Sequence, residues 1–187
     1  MLVVAGPSGS GKSRLFPVAA SGYASFNVDD RCRDLHGGYV GVPPSVRAQA
    51  QRECQAFIAE HTASRTSFAV ETTLRTDIAI HQASRAKQAG FLTQMLYVAT
   101  VDVALNVERV ARRGLRGGHS ASPDRVREIY VSSLANLPLA LATFDVALLF
   151  DNSRDDADAT FLCELRAGDM LLAAAPLPGW LRAVLPG

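Results

Sequence analysis

Short apolar runs alternate along this chain with longer stretches in which apolar positions recur at helical spacing. The first run, Leu2 to Ala5, is continuous rather than alternating, as expected of a strand buried on both faces. A helix is predicted from Lys12 to about Ala20, and a second strand from Tyr23 to Val28, ending at Asp29 and Asp30. Pro43 and Pro44 break the chain before a helix from Ser45 to about His61. A third strand covers Ser67 to Val70 and stops at Glu71, and a helix from about Asp77 to Ala89 ends at Gly90. Gln94 to Ala99 is a fourth strand and Asp102 to Arg113 a helix.

Gly114 to Ser122, rich in glycine and arginine, reads as a mobile loop. Ser122-Pro123-Asp124 then starts a helix running to about Ala135, and Asp145 to Phe150 is a fifth strand. Phe161 to Arg166, a turn at Ala167-Gly168-Asp169, and Met170 to Ala174 form a small hairpin, with the tail around Trp180 packing back. Strands separated by helices mean a parallel α/β sheet with crossover helices. The expected architecture is a three-layer α/β/α domain, with a five-stranded parallel sheet core, helices on both faces and a small C-terminal hairpin.

Composition narrows the class. The 187 residues are 48% hydrophobic, enough for one globular domain with a core at about 1–153, a lid at about 109–122, and the hairpin and tail at about 154–187. Nineteen Lys and Arg against 18 Asp and Glu give a net charge of +1, which argues against a general nucleic-acid binder. Cys32, Cys54 and Cys163 are odd in number and widely spaced, so they read as reduced thiols rather than a disulfide or metal framework. The first strand starts at Leu2, which leaves no room for a signal peptide. No apolar run approaches the roughly 18 residues that span a membrane. A cytoplasmic location is expected, with no membrane contact.

The chemistry begins at GPSGSGKS, Gly6 to Ser13, which fits the phosphate-loop pattern G-x-x-x-x-G-K-[ST] between a strand and a helix. Gly6, Gly9 and Gly11 let the backbone wrap a phosphate. Lys12 would reach the β- and γ-phosphates, and the Ser13 hydroxyl would sit on Mg²⁺. Gly6, Pro7, Ser8, Gly9, Ser10, Gly11, Lys12, Ser13 and Arg14 are therefore the expected ATP contacts.

Ligands of open α/β sheets sit beyond the carboxyl ends of the strands, and three polar clusters fall at such ends. Asp29, leaving the second strand, could accept a substrate hydroxyl's proton or help hold Mg²⁺; a helix cap or a solvated turn uses Asp equally well. Glu71, Thr73 and Arg75 share one direction if the segment stays extended, which suits a ligand with hydroxyls and a phosphate. An ordinary strand-to-helix loop has the same spacing. Arg109, Arg112, Arg113 and Arg116, followed by Gly117-Gly118-His119, carry uncompensated positive charge, since no acid lies between Arg109 and Pro123. They suit a lid that closes over ATP and neutralises the transferring phosphoryl group. A solvated basic helix end is the bland reading.

In these residues the chain resembles the zeta toxin-like P-loop kinases, including the related predicted ATPase branch. The likeness runs from about Leu2 to Ser153. It rests on the phosphate loop, on Asn27-Val28-Asp29, on SFAVETTLR (Ser67 to Arg75), on GLRGGHSASPDRVREIY (Gly114 to Tyr130), and on LFDNS (Leu149 to Ser153). The resemblance implies a nucleotide-kinase-like fold and ATP-dependent phosphorylation of the 3′-hydroxyl of the sugar in UDP-N-acetylglucosamine, with ATP and Mg²⁺ required. It implies Lys12 and Asp29 as catalytic groups, Asp29 being the base. Glu71, Thr73 and Arg75 would hold the sugar nucleotide with Asp29, and Asp29 and Glu71 are candidate magnesium ligands beside Ser13. Arg109 corresponds to a lid arginine. A second has no match at its own position, near Ser120, and Arg116 is a nearby substitute. Asn152, in Asp151-Asn152-Ser153, would lie by the adenine. An antitoxin partner belongs to the same resemblance, although the chain lacks the extended regions that classical zeta toxins place around substrate and antitoxin. Another small-molecule, nucleotide, shikimate or antibiotic kinase would use the same core. An ATP-driven switch would show a strand ending in paired acids, which Phe68-Ala69-Val70-Glu71 only partly matches; a GTPase would need an N-K-x-D motif, which is missing.

Overall fold

Val3, Val4 and Ala5 are almost wholly buried, so the first strand, β1 (Leu2–Ala5), has protein on both faces and sits mid-sheet. The computed structural model describes residues 1–185 apart from 156 and 175; of the expected hairpin and tail, residues 156, 175, 186 and 187 lie outside the described residues. Along the chain follow α1 (Lys12–Leu15), a 3₁₀ turn (Val18–Ala20), β2 (Ala24–Phe26), α2 (Val28–His36), α3 (Pro44–Ala63) and β3 (Phe68–Thr72). Next come α4 (Ile78–Gln88), β4 (Gln94–Ala99), α5 (Val103–Leu115), α6 (Pro123–Thr143) and β5 (Val146–Asp151). The chain closes with β6 (Thr160–Arg166), β7 (Asp169–Ala173) and α7 (Gly179–Arg182).

One sheet holds all seven strands in the order β2-β3-β1-β4-β5-β6-β7. The first five are parallel, as expected. The sheet is larger than the five strands read from the sequence, because β6 pairs antiparallel with β5 and β7 with β6, so the hairpin extends the same sheet. Most of the apolar core lies on one face, where Phe68, Met95, Tyr97 and Leu149 pack under Ile58 of α3, Ala83 of α4 and Leu137 and Leu141 of α6. The other face carries a thinner layer, with Val4 and Ala69 packed against Phe16 and Val18.

Four elements depart from the expected boundaries, each for a local reason. The first helix stops at Leu15 because Pro17 follows, and a 3₁₀ turn replaces its second half. The second strand is short, and Asn27 caps a helix not expected from the sequence: its Oδ1 accepts from the backbone N–H groups of Asp29 (2.9 Å) and Asp30 (3.3 Å). The third strand continues through Glu71 to Thr72. Helix α6 runs past Pro138 to Thr143.

At the far end of the sheet from the phosphate loop, Asp145 Oδ2 accepts from the Thr93 N–H (2.8 Å) and Oγ1 (2.9 Å), and Oδ1 pairs with Lys87 (2.7 Å). Burial works to raise this carboxyl, yet Lys87 and Thr93 hold it below the usual carboxylate range. Its stabilising effect is therefore present above the unfolded-state value and lost as pH falls through the lowered one. Asp145→Ala is expected to destabilise by about 1–3 kcal/mol at neutral pH, read as a lower urea midpoint, with a smaller deficit in acid. Among the described residues, no helix is long and apolar enough to cross a membrane.

Candidate active site

The phosphate loop leaves β1 and is held from beneath by two buried amides. Asn106 Nδ2 donates to the Ser8 carbonyl (2.7 Å) while its Oδ1 accepts from Thr100 Oγ1, and Asn152 Nδ2 donates to the Ser10 carbonyl (2.7 Å). With these carbonyls committed inward, the loop's N–H groups are what it offers an anion. The fit is tight at Gly9, whose φ is +82° and where a Cβ would lie 2.5 Å from the Asn106 carbonyl oxygen. Gly9→Ala is expected to weaken binding of a fluorescent ATP analogue by at least about tenfold, equivalent to about 1.4 kcal/mol.

Two cavities open from this loop. The smaller, about 390 Å³, is lined by Gly9, Gly11, Lys12, Ser13, Arg14, Arg109, Arg113, Asn152 and Asp155. The larger, about 550 Å³, is lined by Ser8, Lys12, Asp29, Glu71, Thr73, Arg75 and His119, with Arg47, Gln51 and Gln55 from α3, Gln82 from α4 and Arg125 from α6. Lys12 lines both, and its Nζ stands 3.8 Å from Glu71 Oε1, which also accepts from Ser13 Oγ at 2.9 Å. Glu71 Oε2 is buried and, among the described residues, has no hydrogen-bond partner.

Asp29 sits in the first turn of α2 with its side chain in the larger cavity. Arg47 Nη1 approaches its Oδ1 at 3.4 Å and His119 Nε2 at 3.9 Å. Burial lowers the His119 pKa from its ordinary value; Asp29 opposes that, and Arg113, Arg47 and Lys12 reinforce it. Asp30 is turned away, accepting from Tyr39 Oη at 2.7 Å, and lines neither cavity. Cys54 lines the larger cavity, but burial pushes its thiol up to about 11, so it stays protonated and is no nucleophile.

Glu71, Thr73 and Arg75 do face one cavity, though not by extended alternation. The strand ends at Thr72, and Leu74 turns the chain with φ +54°. Its side chain is fully buried, its N–H donates to Thr72 Oγ1 (3.1 Å), and its carbonyl accepts from Asn136 Nδ2 (3.0 Å). Such a left-handed turn at a branched residue persists only because the surroundings hold it, a pattern common at ligand clamps.

Of the basic stretch, Arg109 and Arg113 line the smaller cavity. Arg109 donates through Nη1 to the Asn152 carbonyl (2.8 Å) and through Nε to Asp155 Oδ1 (3.0 Å). Arg116, expected as a catalytic lid arginine, is exposed at the end of α5 and lines neither cavity. Asn152 is buried, and its amide supports the phosphate loop from below. Arg47, Gln51, Gln55 and Arg125 escaped the sequence reading. The available signal was the i, i+4, i+8 spacing of Arg47, Gln51 and Gln55 on one helix face, which on most helices marks the solvent side.

Five parallel strands within the sheet, a phosphate loop after β1 and two cavities joined at its lysine define the class, a P-loop kinase. The zeta toxin family model matches residues 1–153, and the chain belongs to that family. No curated protein matches the sequence. Among solved structures it is similar to a chain of the PezAT chromosomal toxin–antitoxin system of Streptococcus pneumoniae, at 18% identity and TM-score 0.59, over 86% of this chain and 70% of that one. A putative kinase from Chloroflexus aurantiacus aligns at 18% identity and TM-score 0.61, over 84% of this chain and 91% of that one. An AvrRxo1-ORF1:ORF2 structure with ATP aligns at 16% identity and TM-score 0.70, over 91% of this chain and 59% of that one. At these identities the likeness is one of fold.

Proposed function

We propose that this protein transfers the γ-phosphoryl group of ATP to a hydroxyl of a small molecule, with the 3′-hydroxyl of the sugar in UDP-N-acetylglucosamine as the favoured acceptor. The observation that carries the reading is the meeting of two cavities at Lys12. One is lined by the phosphate loop and arginines, as a triphosphate requires; the other holds a carboxylate, Asp29, among hydroxyl, amide and guanidinium groups. Asp29 accepts the proton of the acceptor hydroxyl, and Lys12 with Arg109 or Arg113 meets the charge that spreads over the transferring group. Arg47, Arg75 and Arg125 line the acceptor cavity and suit an acceptor that itself carries phosphate.

Ser13 and Glu71 fit a magnesium ion. A hydroxyl and a carboxylate are oxygen donors of the right kind, and the buried, unpartnered Glu71 Oε2 has capacity for a cation. Among the described residues no group of three or more His, Cys, Asp or Glu could hold a metal, so a magnesium ion here draws its other oxygens from phosphate and water. When bound, it would neutralise phosphate charge. The likeness to a chain of the PezAT toxin–antitoxin system extends the proposal to a neutralising protein partner.

The test is incubation with ATP, Mg²⁺ and a metabolite extract, followed by a mass search for a product heavier by one phosphate, with Lys12→Ala as blank. A Lys12-dependent phosphorylated UDP-N-acetylglucosamine is the expected product. A different phosphorylated metabolite would reassign the acceptor, and ATP hydrolysis without any such product would sink the kinase reading.

A further inference from the structure

The lid brings one side chain to the candidate base. His119 lines the acceptor cavity, 18% of its side chain is exposed, and its Nε2 stands 3.9 Å from Asp29 Oδ1. That gap is too wide for a hydrogen bond and suits one oxygen between them: an atom about 2.8 Å from each would see the two at an angle of about 90°. The placement is set by the backbone rather than by the imidazole. Arg113 Nε donates to the His119 carbonyl at 2.8 Å, and the chain folds so closely on Arg113 that a Cβ at Gly118 would lie 2.6 Å from its Cγ. Arg47 from α3, Arg113 from α5, Lys12 of the phosphate loop and Asp29 from α2 are the charged groups around the ring.

Resting on the kinase reading above, we propose that His119 is a catalytic residue of the acceptor side: its Nε2–H donates to the acceptor hydroxyl oxygen while Asp29 accepts that hydroxyl's proton. The O–H bond breaks with the proton passing to Asp29. The oxygen's electron pair forms the new bond to the γ-phosphorus, and the bond to the leaving ADP oxygen breaks. Two contacts at about a right angle fix the hydroxyl's position and the direction of its free lone pair, where a carboxylate alone would let it swing. The lid thereby couples closure over ATP to alignment of the acceptor.

The test uses the transfer assay on the metabolite extract with ATP and Mg²⁺. His119→Ala is expected to lower the rate at saturating ATP about 100-fold, the scale of a misplaced reacting atom, with ATP affinity unchanged. His119→Gln, whose amide restores an N–H donor at similar reach, is expected to recover roughly tenfold of that loss. Adding His119→Ala to Asp29→Asn should slow the enzyme no further than Asp29→Asn alone, because both act on one hydroxyl. A wild-type rate in His119→Ala, equal losses in the Ala and Gln variants, additive losses in the double variant, or lost ATP binding would each overturn the role. If the wild type yields no Lys12-dependent product, the kinase reading itself fails and this role falls with it.

Discussion

Asp29→Ala is expected to remove phosphoryl transfer, by about 10³-fold, while ATP binding stays within about twofold of wild type. General-base catalysis by a positioned side chain contributes about 10²–10⁴, which sets the scale. The selectivity follows from where Asp29 sits. It lines the acceptor cavity and not the one bounded by Gly9, Arg14 and Arg109. The substitution also leaves α2 intact, because the cap is the Asn27 side chain accepting from the backbone at position 29, which alanine retains. Its partner Arg47 is more than a third exposed, so losing the pair has little effect on stability. Product formation followed by mass, with calorimetric titration of ATP, separates the outcomes. Full transfer by Asp29→Ala would remove Asp29 as the base, and loss of ATP affinity would place its role on the nucleotide side.

That prediction concerns a residue legible from the sequence, although the element carrying it was not. The helix Val28–His36 buries only Cys32, so no apolar stripe announces it. What builds it is capping: Asn27 at the start, Asp29 and Asp30 in the first turn, Arg33 and His36 in the last, and Gly37 in the left-handed conformation. The fourth strand, by contrast, was readable to its ends, since Met95 to Ala99 is one apolar run that Gln94 leads into. Helix α6 defeats the local rule in the opposite direction. A proline inside a helix costs about 3 kcal/mol, which argues for ending it before Pro138. Leu137, Ala140 and Leu141 are at most 2% exposed, and burying each large apolar side chain returns about 1.5–3 kcal/mol, so packing outweighs the break.

The hairpin was legible as a local pair, but nothing in its own pattern encodes that β6 pairs antiparallel with the preceding strand β5 and so joins the main sheet. The same division runs through the site. The phosphate loop is contiguous and was readable whole. The acceptor wall is assembled from faces of α3, α4 and α6, whose polar residues look like any solvated surface until the sheet end they cover is known. Arg116 failed for a different reason: at i+7 from Arg109 it shares the helical phase of Arg109 and Arg113, but α5 ends at Leu115 and leaves Arg116 at its exposed cap, beyond the cavity.

Lys12 is the residue whose loss should be most complete. It is 7% exposed, lines both cavities, and stands 3.8 Å from the Glu71 carboxylate. In the proposed reaction a cation there meets the γ-phosphate on the path between donor and acceptor, in a site where water screens it little. Removing one preorganised donor from such a place lowers turnover by about 10²–10³, and removing a full charge should exceed that. Lys12→Ala is therefore expected to leave transfer below about one thousandth of wild type, with ATP affinity also reduced. Lys12→Arg separates charge from shape. The guanidinium keeps the charge, but its planar fork is wider than an ammonium, and the burial around Lys12 leaves no room for it without moving the loop. Single-turnover measurement of both variants should find Lys12→Arg nearly as impaired as Lys12→Ala. Near-normal turnover in Lys12→Arg would mean that only the local field matters at this junction, and would remove Lys12 as the group that aligns the transferring phosphoryl between its two partners.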